Sequence, residues 1–431
     1  MPMFSIAFLI AVFLFPSRGH LRLEYVLVVL LLIGVLLRGD LSPFSKVRRE
    51  LYFLAFLTIG GLVSILFHVA SGGTFDYRDL MSIVRYPVYG AILVSVIVAA
   101  PRTERSREAT GMTIGFIAIA VGIISLLQHY DVGGIDSLLR TVYSTTAIGG
   151  ADEPEIGSLA AGRLTGTSGN PNWWGFTIVS LFLMLTARAV TTKRLLWIPV
   201  LLLLVTSLIL TGSRTAVVAA LFGAGLITIL GFKSGSTGIG RSMVIALFAV
   251  LVIGWGVFYQ LNLAADANRF SIERMGSFLI RIEVWSATLD EYQNDIVLGR
   301  GPAKLDRVAG FRDASSFHVR DNIYIAFLAQ FGIVGLVGFL GFSLTQIIKL
   351  FSLTRRANPP DRWWPIGMLG TMAAWMLFGV AGDSFFFVPA STILLVLYGT
   401  ALVAGEPEVA TLKGRGPGPT DAYDPTFEFP E

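Results

Sequence analysis

WWGFTIVSLFLMLTARAVTTKRLLWIPVLLLLVTSLILTGSRTAVVAALFGAGLITILGFK, residues 173–233, contains three apolar runs, 173–189, 195–211 and 214–232, parted by two short polar breaks. Each run approaches the roughly 20 residues that a helix needs to cross the hydrocarbon core of a bilayer. The first break carries Lys193 and Arg194, and the second, Gly212-Ser213, leads into Arg214 as the first residue of the third run. Working outward from this stretch, the same criterion gives further runs at 3–15, 23–38, 51–69, 82–99, 112–128, 243–260, 322–348, 365–381 and 384–404. The expected fold class is therefore an all-α polytopic membrane protein of about twelve transmembrane helices. Residues 1–404 form its single transmembrane domain. The run at 322–348 is overlong and carries Gly332, Gly335, Gly338 and Gly341, which predicts tilt or close helix packing.

Composition agrees. Of 431 residues 54% are hydrophobic and only 14% charged, too few charges to cover the surface of a soluble domain. The formal charge of +4 comes from short basic clusters between apolar runs, with no continuous stripe that would suit nucleic acid. There is no cysteine, which excludes disulfides and thiolate chemistry. The four histidines, His20, His68, His129 and His318, lie at no metal-ligand spacing, so no metal site is expected. The first apolar run lacks a basic leader and a small-residue cleavage site, so no secretory signal peptide is expected.

Basic residues fix the orientation. Arg38, Lys46, Arg48 and Arg49 share one short connection, and Arg102, Arg105 and Arg107 another. Lys193 with Arg194, Lys233 with Arg241, and Lys349 with Arg355, Arg356 and Arg362 mark three more. With twelve spans all five fall on one side with both termini, and the excess of Lys and Arg makes that side the cytoplasm. Only Arg18 and Arg22, in the first hairpin, conflict. Two long loops, 129–172 and 261–321, then face outward and should contain short helices. The tail 405–431, rich in Pro, Gly and acid, is expected to be a disordered cytoplasmic segment. No internal repeat of the transporter kind is present.

The spans carry almost no ionisable groups at their centres, whereas Arg85, His129, Arg214 and Asp383 lie near their outer ends. Coupled transporters place such groups at mid-membrane. This pattern instead predicts a site facing outward at headgroup depth, and it counts against a lipid-linked oligosaccharide flippase. Arg214, within TGSRTA, opens a span beside Ser213, where helix amides and a guanidinium together suit a phosphate. The same arginine also suits plain snorkelling to headgroups. In the second loop Phe278, Ile282, Trp285 and Leu289 recur at helical spacing, predicting an amphipathic helix on the outer bilayer face. Arg274 and Arg281 would share one side of it, as a diphosphate clamp or as a basic edge on anionic lipid. His318, Arg320, Asp321 and Asn322 cluster where a span begins. Asp321 or Asn322 would cap that helix, or a carboxylate or imidazole there would act as general base on a sugar hydroxyl. The first loop ends at Arg163 and Asn170-Pro171-Asn172, a turn into a helix whose Trp173 and Trp174 suit the interfacial aromatic belt.

Together these segments resemble the O-antigen ligase and polymerase superfamily of membrane glycosyltransferases. The likeness rests on Arg163 with GNPN at 169–172, TGSRTA at 211–216, Arg281 and Trp285, LGRGP at 298–302, and DNIYIAFLAQFGIVGL at 321–336, in this order over about residues 110–400. The resemblance implies a GT-C-type, metal-independent and inverting enzyme without a cofactor. It implies an undecaprenyl-pyrophosphate-linked glycan as donor, and as acceptor a glycan or lipid-linked sugar. It further implies that Arg214 and Arg281, with Arg274 and Arg163 beside them, hold the pyrophosphate. Asn172, Ser213, Trp285, Arg320, Asn322 and Tyr324 would contact the rest of the substrates. Ligases of this family carry a histidine directly before the asparagine of the last motif. Here that position is Asp321 and the nearest histidine is His318. This is closer to the polymerase side and favours Asp321 over His318 as base, although an aspartate there could equally orient the acceptor. The expected partners are the lipid-linked donor, the acceptor and the inner-membrane bilayer, with room for a chain-length regulator.

Overall fold

The computed structural model describes residues 42–75, 77–143, 164–168, 170–192, 195–233, 282–283, 285–290, 292–301, 322–380, 382 and 388–406, with single positions 10, 249, 252, 253 and 256. Among these the regular elements are all helical. They are α1 (Ser42–Lys46), α2 (Arg48–Ala70), α3 (Tyr77–Ala99), α4 (Glu104–His129), α5 (Ile135–Tyr143), α6 (Pro171–Thr192), α7 (Ile198–Leu210), α8 (Arg214–Lys233), α9 (Ile323–Arg356), α10 (Trp363–Phe378) and α11 (Val388–Ala404). Six of them, α2, α3, α4, α6, α8 and α9, are long and apolar enough to cross a membrane, and α7 and α11 are shorter apolar helices. This bears out a polytopic all-helical membrane protein. The expected spans 3–15, 23–38 and 243–260 lie outside the described residues apart from a few single positions, as does the tail beyond Glu406.

Helix α6 is apolar on every side, the signature of a fully buried helix, and it is the centre of the bundle: from Trp174 to Val190 every residue is buried. It packs against α4, α7, α8 and α10. By contrast α2 lies at the rim, with Tyr52, Phe56, Ile59, Leu62 and Leu66 turned outward. The glycine-rich α9 packs closely along α2, as its spacing predicts: a Cβ at Gly338 would meet Leu57 and Phe56, and one at Gly341 would meet Phe53.

One expectation is corrected. The run 322–348 is no single tilted helix, because α9 breaks at Gly332, whose φ of 67° and ψ of −165° belong to no helix. In a straight helix Tyr324 and Phe339 would be about 22 Å apart along the axis, yet their ring centroids lie 6.0 Å apart, and those of Phe327 and Phe339 only 4.5 Å. The segment 323–331 therefore folds back against 333–342. The break is filled by main chain of residues 296–301, which run into LGRGP. Ile333 N donates to Ile296 O at 2.7 Å and Val334 N to Val297 O at 3.4 Å, while Arg300 N and Gly301 N donate to Ala329 O and Gln330 O at 3.1 and 3.0 Å. Ser64 of α2 adds its hydroxyl to Gln330 O at 3.1 Å. Broken backbone in a membrane protein is tolerated where protein groups take up the freed hydrogen bonds, and here residues 296–301 and Ser64 supply them.

A second correction concerns charge. Ionisable groups are also buried at the opposite, basic end of the bundle. Glu50 is fully buried and takes Lys349 Nζ at 2.6 Å as well as the Tyr398 hydroxyl. Arg107 pairs with Asp361 at 3.1 Å. Arg188, 1% exposed, pairs with Glu108 at 2.9 Å between the rings of Trp197 and Trp363, 4.9 and 5.2 Å from its guanidinium. These residues flank apolar runs and so read as loop or helix-end residues, but converging helix ends enclose them. Removing one partner of a buried pair leaves an uncompensated charge, which costs about 3 kcal/mol or more. Glu50→Leu should accordingly lower the melting temperature in detergent, and Glu50→Leu with Lys349→Met should recover most of it. Equal melting of the single and double variants would remove this pair from the fold's supports.

Candidate functional site

The far end of the bundle joins motifs that are distant in sequence. Asn170 caps α6: its Oδ1 accepts from the amides of Asn172 at 2.8 Å and Trp173 at 3.4 Å, and Pro171, which has no amide to satisfy, takes the first helical position. Forty residues on, Thr211 turns the chain. Its Oγ1 accepts from Ser213 N at 3.1 Å, and Gly212 adopts φ 63°. Ser213 then caps α8, accepting from Ala216 N at 3.4 Å, and its hydroxyl donates to Asn172 Oδ1 at 3.0 Å. The two helix heads touch because Gly175 lacks a side chain: a Cβ there would lie 2.9 Å from Ala216 Cβ and 3.3 Å from Ser213 Cβ. Arg214, the first residue of α8, is exposed at this junction.

The third strand of the site arrives through α10. Phe176 packs on Phe378 with ring centroids 5.6 Å apart, and the next residue, Gly379, accepts from Ile323 N at 2.8 Å. Asn322 caps α9 as the sequence predicts, its Oδ1 accepting from Tyr324 N at 3.0 Å and Ile325 N at 3.1 Å. The Tyr324 hydroxyl donates to Met376 O at 2.6 Å. The amides of residues 323 to 326 are thus all taken by protein acceptors, so this helix head positions the chain and offers an anion nothing. At the α8 head the Ser213 hydroxyl reaches only the third amide.

Of the other sequence candidates, Trp285 lies on a described helical stretch, 285–290, with Leu289 exposed, in keeping with an amphipathic helix. Arg163, Arg274, Arg281, His318, Arg320 and Asp321 lie outside the described residues. Trp174 is no belt residue. It is 1% exposed and its indole N–H donates to Ser125 Oγ at 3.0 Å, a buried role that the neighbouring Trp173 disguises. The sequence reading also missed Gln128. Its Oε1 accepts from the amides of Thr165 and Gly166 at 3.2 and 2.8 Å, and its Nε2 donates to Asp136 Oδ1 at 2.8 Å and Thr165 Oγ1 at 3.0 Å. This one side chain ties the turn before Asn170 to the end of α4. Its only signal was a polar amide just inside the end of an apolar run.

The Ser213 cap should be worth roughly 1 kcal/mol. Ser213→Ala is therefore expected to fold, to melt a few degrees lower, and to lose activity in part as Asn172 and Arg214 shift. Unchanged melting would show that the Asn172–Ser213 bond does not hold the two heads together.

Residues 199–340 match the family model described as O-antigen ligase. The match runs from α7 through the Thr211–Arg214 turn and LGRGP to the refolded part of α9, and so includes four of the five motifs on which the resemblance rests. No curated protein matches the chain.

Proposed function

We propose, from the match of residues 199–340 to the O-antigen ligase family model, that this protein is an inner-membrane glycosyltransferase of GT-C type that polymerises lipid-linked repeat units into a surface polysaccharide. Its site faces the periplasm, and both termini and the tail 405–431 are cytoplasmic. The observation that supports this reading is the Ser213–Asn172 bond, which sets Arg214 at the junction of two helix heads.

In this reading Arg214 and Arg281 neutralise the undecaprenyl pyrophosphate as it departs, with Arg274 and Arg163 as further cations. Charge placed where the leaving group develops its own is the largest electrostatic lever an enzyme has. The acceptor hydroxyl attacks the anomeric carbon from the face opposite the pyrophosphate. The new C–O bond forms as the bond to the pyrophosphate oxygen breaks, and the hydroxyl proton passes to Asp321, or to His318. Asn172, Ser213, Trp285, Arg320, Asn322 and Tyr324 serve, in the same reading, as contacts for the rest of the substrates. The family description favours a second reading, transfer of a finished glycan to an acceptor such as lipid A-core.

The test is a gel profile of surface and lipid-linked glycans after deletion of the gene, with complementation by the wild type. Single repeats without long chains would establish the polymerase. Long chains stranded on the lipid carrier would establish the ligase, and an unchanged profile would overturn both.

A further inference from the structure

Helix α4 has 26 residues, about 39 Å at 1.5 Å per residue. That exceeds the roughly 30 Å hydrocarbon core, so its end lies among the headgroups. Phe116 (65% exposed) and Ile123 (47%) on it, and Tyr130 (72%) just past its end, recur every seven residues as one outward apolar stripe that begins on a candidate membrane span. The stripe does not stop where the helix does. Asp131 at φ 46° and Gly133 and Gly134 at φ 66° and 73° turn the chain sharply, with Val132 exposed between them, and α5 begins at once.

In α5 the apolar residues Ile135, Leu138, Leu139 and Val142 follow the spacing of one helical face. Leu139 is buried against the protein while Leu138 is 59% exposed. The roll of the helix is fixed from its polar side, where Gln128 holds Asp136 at 2.8 Å and the Asp131 carboxylate accepts from Asp136 N at 3.1 Å.

We infer that residues 130–139 form a bilayer-seated element, with Tyr130, Val132 and Leu138 dipped into the boundary between headgroups and acyl chains. The occupant of this apolar surface is lipid, because Tyr130, Val132 and Leu138 follow in the chain directly on the outward stripe of a candidate membrane span. Through Gln128 the same element holds the turn at 164–168, so the membrane surface itself sets the level of the Asn170 cap and the α6 head.

The chain contains no cysteine, so single spin labels can be placed without other changes. Leu138→Cys and Ser137→Cys, each labelled in full-length protein reconstituted into phospholipid nanodiscs, are compared for collision with oxygen and with a water-soluble nickel chelate; Phe116→Cys serves as the lipid-exposed reference. The expected result is oxygen-dominated collision at Leu138, as at Phe116, and nickel-dominated collision at Ser137, its exposed polar neighbour. Nickel-dominated collision at both 137 and 138 would overturn the bilayer seat. A Leu138 label shielded from both reagents would overturn it too, by showing that protein covers the face.

Discussion

Gly332→Ala is expected to leave little correctly folded protein. The backbone there, at φ 67° and ψ −165°, lies in a region that only glycine enters without strain of about 1–3 kcal/mol. Strain is the smaller part of the effect, because a Cβ would fall 2.1 Å from Val297 O and 2.5 Å from Leu298 N. The facing residue, Gly299, is equally confined: its Cβ would meet the Gln330 carbonyl and the Gly332 amide within 2.6 Å. Neither obstacle is a side chain that can swing aside. The loop segment must withdraw, and the hydrogen bonds that fill the break go with it. Gly225→Ala, on a described stretch of α8 with nothing near its Cβ, is the matched control and should melt at or slightly above the wild-type temperature. Size-exclusion profiles and melting in detergent decide the matter; wild-type behaviour of Gly332→Ala would mean that α9 does not break there.

Arg214→Ala should give the opposite pattern, an intact protein that does not work. The side chain is exposed, and a cation on the first turn of a helix opposes the helix dipole, so its removal should cost little stability. Loss of one group that stabilises departing charge lowers rates by roughly 10²–10³-fold, so long glycans should vanish at normal protein levels. Arg214→Lys keeps the charge without the planar fork and should recover only part of the activity. A snorkelling arginine predicts near wild-type glycans from both variants. That result would remove Arg214 from the site.

Much of the bundle could be read from hydropathy, because a lipid-crossing helix must be apolar along its whole length. The runs 173–189 and 214–232 appear as Pro171–Thr192 and Arg214–Lys233, close to their expected bounds. The helix start after Asn170-Pro171-Asn172 and a cap at Asp321 or Asn322 were also legible, since a turn or a cap is a local event. What escaped depends on partners far along the chain. Gly332 sits in a glycine series that reads as helix packing, and nothing near it names residues 296–301 as its filling. Arg188 looks like the edge of an apolar run until Trp197 and Trp363 close over it. In the candidate site the motifs were visible singly. Their meeting was not, because the Asn172–Ser213 bond belongs to neither motif alone.

Glu50 also constrains the order in which the protein can be assembled. Its carboxylate belongs to the first labelled helix long enough to span, but its partners follow 299 residues later at Lys349 and 348 residues later at Tyr398. At roughly 5–20 residues per second a ribosome needs about 15–60 s to reach the lysine alone. Throughout that interval the carboxylate must stay in contact with water at the membrane edge, and α2 cannot settle to its final depth. The Glu50 cluster at this end closes only when α9 and α11 arrive, so a chain cut short before residue 349 carries an open seam that quality-control proteases can recognise.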